Sequence, residues 1–282
     1  MKANLETGSG ELGARARRGG EQLAHAQALG WLARAGLLAR GVVYFVIGLL
    51  ALELALGEGG KTTDQQGAMK AIAGQTYGKV LLALLAIGLA GYAIWRLTRA
   101  VVGHGAEQRD DTGDRVAALA SGVVYAGLCV VAVGILAGSG SSSSSQKAKE
   151  TTAGVLGWSG GPVLVAIAGL VLIGVALYQA YKGISRDFLE DAKTGEMSEP
   201  VRKAYTALGV FGLVARAVVF ALVGYGLVKA ALEYDPKEAV GLDGALRKLT
   251  EAAFGPWLLA IVAVGLAGFA LYSIADARYR KV

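Results

Sequence analysis

The sequence predicts an all-α integral membrane protein, with six transmembrane helices arranged as three parallel two-helix repeats around a pseudo-threefold axis. Three observations predict it. Of 282 residues, 54% are hydrophobic and 18% charged, whereas soluble domains hold about 45–50% apolar and about 25% charged residues. The apolar residues fall in six blocks separated by polar stretches, and mean hydropathy is +0.48. A two-helix pattern recurs three times along the chain. Together these exclude a soluble globule, a disordered chain, a collagen-like fibre and a disulfide-stapled secreted domain.

The blocks are Gly36–Leu56, Val80–Ile94 with its flanks, Val116–Ala137, Pro162–Tyr181, Leu208–Ala231 and Pro256–Ile274. Each suits the roughly 20 residues that a helix needs to cross about 30 Å of hydrocarbon. Lipid offers the backbone no hydrogen bonds, so each block must be helical. A β-barrel would show short alternating segments, and these blocks do not alternate. The first residues are polar, Gly-rich and basic and show no signal-peptide pattern, so the first span is expected to be an uncleaved signal anchor.

Basic residues set the expected orientation. The N-terminal segment, the second and fourth connections and the C-terminus carry 19 of the 28 Lys and Arg residues. Both termini are therefore expected in the cytoplasm, which an even number of spans also requires. The expected divisions are a basic segment over 1–30, repeat 1 over 31–104, repeat 2 over 105–185, a cytoplasmic linker over 186–207, and repeat 3 with a short basic tail over 208–282.

The repeats rest on matched anchors. Odd spans open with Arg40-Gly41-Val42-Val43-Tyr44, Ser121-Gly122-Val123-Val124-Tyr125 and Arg216-Ala217-Val218-Val219-Phe220. Even spans open at Gly78, Gly161 and Gly255, which follow the first anchors by 38, 40 and 39 residues. Trp95, Tyr178 and Tyr272 each stand 17 residues beyond these glycines. Every unit starts and ends on one side, so the copies are parallel, unlike the inverted repeats of many transporters. Gly67–Gly78 aligns without gaps to Gly244–Gly255, which predicts a short amphipathic helix on the outer face in repeats 1 and 3. In repeat 2 a Ser-rich stretch, Ser139–Ser145 followed by Ala153–Trp158, reads as a flexible linker.

These motifs resemble a bacterial membrane family catalogued as domain of unknown function 1206. The resemblance runs from about Trp31 to Ala275. It implies a tandem array of three two-helix units and carries no activity or catalytic residues with it. Ser121 departs from the Arg of the other two copies.

Five ionisable residues stand out within or beside spans, where charge is costly and marks candidate sites. Arg40 and Arg216 share one repeat position near the cytoplasmic end. They either snorkel to the interface or hold phosphate head groups with their bidentate forks. Asp276 stands where the other copies have Arg99 and Lys182, so it is expected to pair with Arg40 or Arg216. Glu53 and Lys229 share another position, about 20 Å further along the helix, and could meet across a common axis or merely cap the outer helix ends. Gly88, Gly91, Gly174, Gly265 and Gly268 form a small-residue stripe that suits close helix packing. Trp95, Tyr178 and Tyr272 are expected in the cytoplasmic aromatic belt, with Trp31, Trp158 and Trp257 as further anchors.

Cys129 is the single cysteine and reads as a small buried hydrophobe; His25 and His104 stand in separate polar segments. Neither an HExxH nor a CxxCH motif is present. No cofactor or metal is therefore expected, and no nucleophile–base set appears. The reading is a non-enzymatic multipass protein of the bacterial cytoplasmic membrane, an interaction, structural or lipid-contacting subunit. The alternative is a small-solute or ion channel or transporter, with a path lined by Glu53, Lys229 and Tyr44. Expected partners are membrane lipids, through anionic head groups at the cytoplasmic face, and another protein or a second copy. The net charge of +6 is assigned to the membrane surface rather than to nucleic acid.

Overall fold

The computed structural model describes residues 30–58, 62–102, 112–139 and 142–281. The basic segment expected over 1–30 lies outside these residues apart from Gly30, as does His104. Six helices are long and apolar enough to span a membrane: α1 (Gly30–Ala55), α3 (Gly78–Val102), α4 (Thr112–Leu136), α6 (Gly161–Ser185), α7 (Glu199–Glu233) and α9 (Gly255–Tyr279). Each covers one of the six predicted blocks, with only Leu56 and Ala137 lying one residue beyond their helices. Between the members of each pair lies a shorter helix: α2 (Gln65–Ala73), α5 (Ser144–Leu156) and α8 (Leu242–Thr250).

The anchor glycines have a steric cause. Each even span turns back sharply beneath its short helix. A Cβ at Gly78 would stand 2.1 Å from the Ile72 carbonyl oxygen, at Gly161 1.9 Å from that of Val155, and at Gly255 2.2 Å from that of Thr250. Only a residue without a side chain lets the backbones approach so closely.

Two expectations about connections need correction. From Ser143 onward the Ser-rich stretch of repeat 2 is not a flexible linker: Ser143 caps α5, its hydroxyl accepting from the Gln146 amide at 3.2 Å. Serine at an N-cap satisfies an orphan helix donor, so a run of serines also reads as a helix start. The linker expected over 186–207 is shorter than drawn, because α7 begins at Glu199 with Pro200 in its first turn. What precedes it is two 3-10 turns, Asp187–Leu189 and Thr194–Glu196.

The spanning helices pack by repeat position. Between repeats, one contact recurs. Gly48 of α1 lies against Ala263 and Ala267 of α9, and Gly224 of α7 against Gly169 and Ile173 of α6. At the same position Cys129 of α4 places its sulfur 3.5 Å from the Ala86 carbonyl of α3. Within repeats, the contact forms only twice. In repeat 1, Gly36 meets Tyr92, and Gly88 meets Ala35 and Ala39. In repeat 3, Gly212 meets Phe269, and Gly265 meets Ala215 and Phe211. Neighbours therefore follow the order α4, α3, α1, α9, α7, α6, an arc of helices with an opening between α4 and α6.

The opening leaves repeat 2 bare. Val116 and Val171, at the positions of Ala35 and Gly88, are 60% and 59% exposed. Gly174 has nothing within 4 Å of an added Cβ. The packing role expected of Gly174 is thus not met, because the helix it would touch is elsewhere. Gly88, Gly91 and Gly265 do pack closely, whereas Gly268 has only ordinary contact, 3.7 Å to Leu208. In lipid a bare apolar face costs little, since acyl chains are as apolar as leucine.

The three short helices close one end of the arc. Asp64 at the start of α2 accepts from the Gly67 amide at 2.7 Å and also from the Ser144 amide. Asp243 of α8 accepts from the hydroxyl and the amide of Ser145 at 2.7 and 3.1 Å, and from the Ser144 hydroxyl at 3.1 Å. The Ser145 hydroxyl oxygen in turn accepts from the amides of Gly241 and Gly244. The start of α5 is thereby clamped between α2 and α8.

Candidate functional site

The opposite end of the bundle is rich in arginine. It is organised around Asp276, which is fully buried on α9. Asp276 Oδ2 lies 2.8 Å from Arg280 Nη1 and 3.8 Å from Arg40 Nη2, and the Tyr205 hydroxyl donates to Oδ1 at 2.9 Å. Arg40 also donates from Nε to the Ser273 hydroxyl at 3.1 Å, and from Nη1 to the Tyr92 hydroxyl at 3.5 Å. The structure thus joins Arg40 on α1 to Asp276 on α9. A buried carboxylate with two hydrogen-bond donors and a second guanidinium beside it is stable where a bare one would not be.

The linker after α6 folds across this end. Ala192 bridges to Arg280, and Lys193 donates its amide to the Tyr279 carbonyl at 2.7 Å. Asp191 lies 3.2 Å from Lys182 and 3.6 Å from Arg280. Burial pushes the Asp191 carboxyl up, but Arg280 and Lys182 more than offset it and hold it below the usual carboxylate range.

Aromatic rings fill the space between the cations. Arg96 Cζ lies 5.4 Å from the Tyr92 ring and 5.2 Å from the Trp95 ring, and Arg99 Cζ lies 4.9 Å from Trp95. Trp95 and Tyr272 are each only 4% exposed. They belong to this packed cluster and not to an outward belt; only Tyr178, at 56%, faces outward among the three. Trp31, Trp158 and Trp257 are exposed, as anchors require.

Arg216 differs from its repeat equivalent Arg40. It makes no ion pair with Asp276. Its Cζ stacks 4.3 Å from the Phe269 ring, 5.2 Å from Phe220 and 5.3 Å from Tyr44. Its Nε is buried without a hydrogen-bond partner, and among the described residues no carboxylate reaches it. A cation within a span is costly, and a desolvated ring contact returns about 2 kcal/mol. The rings therefore offset part of the cost and leave the guanidinium short of acceptors.

Glu53 and Lys229 do not meet. Lys229 Nζ lies 3.2 Å from Glu238 and 3.8 Å from Glu233. The 3-10 turn Pro236–Glu238 folds back over the end of α7, and a carboxylate so close in sequence outcompetes one on another repeat. The hydrogen bonds from Lys248 and Lys229 hold Glu238 below its usual range.

Several members of the cluster escaped the sequence reading. Arg280 could have been found, because it stands four residues beyond Asp276 on one helix face. Tyr205, Ser273 and Tyr92 carry no such signal, since tyrosine and serine in apolar helices usually just pack. Among the described residues, no group of three or more His, Cys, Asp or Glu side chains could hold a metal ion. The arrangement pins α1, α7 and α9 together.

The comparisons agree with this architecture. A family model described as Domain of Unknown Function (DUF1206) matches residues 35–103, 116–186 and 211–280, one match for each repeat. A Bacillus subtilis (strain 168) protein named "Uncharacterized protein YxxB" is 32% identical over 252 residues, covering 88% of this chain and 90% of its own length. No solved structure matches. With three matched units spread over most of its length and six spanning helices, the chain is a bacterial multipass membrane protein of the DUF1206 family.

Proposed function

We propose that this protein is a non-enzymatic structural and lipid-contacting subunit of the bacterial cytoplasmic membrane. Its three repeats surround a pseudo-threefold axis, and its arginine-rich end faces the cytoplasm with both termini. The observation that carries this reading is the excess of cations at that end. Among the described residues, Arg40, Arg96, Arg99, Arg216, Arg280 and Lys182 gather at this end, and the ion pairs within the cluster run to two carboxylates, Asp276 and Asp191. Guanidinium groups steadied on aromatic rings suit phosphate oxygens, which they grip in pairs. The anionic inner leaflet supplies such oxygens. The recurring contact between repeats supports the axis, since three interfaces use equivalent residues.

A conduit would need a polar path along Glu53, Lys229 and Tyr44. Lys229 is held by its own repeat, and Tyr44 packs edge-on against Phe269 at 4.9 Å between ring centres. These contacts favour the subunit reading over the conduit. The test is reconstitution into nanodiscs of phosphatidylglycerol or of neutral phosphatidylcholine. The full chain is expected to melt at higher temperature in the anionic bilayer, and R96Q/R99Q to lose that difference. Equal melting in both lipids for the wild type would reject the reading. Reporter fusions at either terminus should report a cytoplasmic location.

A further inference from the structure

The opening in repeat 2 and the unsatisfied cation of repeat 3 belong to one arc of helices. We infer that the gap between α4 and α6 admits a single anionic phospholipid, whose head-group phosphate reaches Arg216 while its acyl chains lie along Val171 and Gly174. The inference rests on the lipid-contacting reading above and names a site within it.

Three observations carry it. First, the face is shaped for a neighbour that is absent. In repeats 1 and 3 the positions of Val171 and Gly174 lie against the odd helix of the same repeat. In repeat 2 they are bare. Second, Arg216 points into the arc. It stacks on Tyr44 of α1 and Phe269 of α9 and lies within electrostatic reach of Tyr125 on α4. Tyr125 and Arg216 are both only partly buried. Third, the charge is unmatched. Asp276 is taken up by Arg40, Arg280 and Tyr205, and Arg216 Nε has no acceptor. An apolar gap leading to a cation short of oxygen ligands is complementary to an anionic amphiphile. A zwitterionic lipid would bring its own cation alongside. A transmembrane helix of another protein would cover the apolar face and leave Arg216 as it is.

The test is native mass spectrometry of the full-length protein, released from mild detergent and titrated with phosphatidylglycerol or phosphatidylethanolamine. The wild type should retain one phosphatidylglycerol about tenfold more tightly than phosphatidylethanolamine, the size expected for a charge-assisted phosphate contact. R216Q should abolish that preference. G174W, which fills open space, should expel the lipid while leaving the melting temperature unchanged. Retention of the same lipid by G174W would overturn the inference, and it decides the matter alone if R216Q fails to fold. A preference that survives in both variants but disappears in R96Q/R99Q would leave the rim reading standing and the Arg216 site refuted. No preference for phosphatidylglycerol in the wild type would refute both.

Discussion

Repeats 1 and 3 are closed hairpins, whereas repeat 2 is open, although all three carry the same anchors. The buried fraction of the spanning segments makes the contrast plain: 56%, 50%, 33% and 56% for α1, α3, α7 and α9, but 11% and 17% for α4 and α6. Two local causes account for it. Where repeats 1 and 3 have Gly88 and Gly265, repeat 2 has Val171. A β-branched side chain blocks the close approach that glycine allows. Repeat 2 also replaces the interlocking Tyr92 and Phe269 by Val175. At the capped end, α5 is 13 residues long against 9 for α2 and for α8. That helix spans about 20 Å, and its clamped start holds the capped ends of α4 and α6 apart. The lesson is that a repeat motif fixes an element without fixing its partner. The contact between repeats survives in all three places, and the contact within repeats is the one that evolution of a single copy can release.

The sharpest break should come at Asp276, the acid that stands where repeats 1 and 2 have Arg99 and Lys182. D276N leaves Arg40 and Arg280 facing a neutral group and should cost about 3–5 kcal/mol, as loss of one partner from a buried pair does. Thermal unfolding in detergent reads this directly. K182D, in the open repeat and partly exposed, should be far milder.

Next come the glycines. G36L and G212L place bulk where a Cβ already meets Tyr92 at 2.1 Å and the Phe269 backbone at 2.6 Å. Each should destabilise by about 1–3 kcal/mol or more. G174L should change stability by less than about 0.5 kcal/mol, as substitutions in open positions do. Equal losses at Gly36 and Gly174 would mean that repeat 2 is closed.

The clamp on α5 is expected to weigh less. S145A removes the hydroxyl that accepts from the Gly241 and Gly244 amides and donates to Asp243, at a cost of about 1–2 kcal/mol. The clamp is also sensitive to acid. Burial pushes the Asp243 carboxyl up, but the hydrogen bonds from Ser145, Ser143 and Ser144 outweigh it and keep it below its ordinary value. A depressed carboxylate contributes in full above its unfolded pKa of about 3.9 and loses that contribution as pH falls through its folded value. Hydrogen exchange at the Gly244 amide should therefore accelerate relative to the rest of the chain below about pH 4, and S145A should blunt the effect. The smallest change is expected at Cys129, which occupies the position of Gly48 and Gly224. C129G should alter stability by less than about 1 kcal/mol, since the side chain is only half-buried. A larger loss would show that the interface between repeats 1 and 2 has been rebuilt around the sulfur.

Much of this was legible in one dimension. The six spans, their boundaries to within about two and a half turns, the matched offsets and the special standing of Asp276 all follow from hydropathy and spacing. The lipid solvent leaves an apolar segment of that length no other structure. The same reading mistook the serines of α5 for a linker, because serine serves both flexible chains and N-caps. It left Glu53 and Lys229 either to pair by symmetry or to cap their helix ends, and Glu238, brought back by its turn, claims the lysine. It placed Trp95 and Tyr272 in an outward belt, although these rings pack inward beneath arginines.

Local chemistry alone thus determined which segments are helices, where they turn and which positions correspond. Hydrogen bonding and burial are settled within each segment once the solvent is hydrocarbon. Only the tertiary structure decided which corresponding faces touch, which cation receives the buried Asp276 and which remains short of ligands. Those outcomes depend on steric fit and competition among partners distant in sequence, and one valine in place of a glycine is enough to change them.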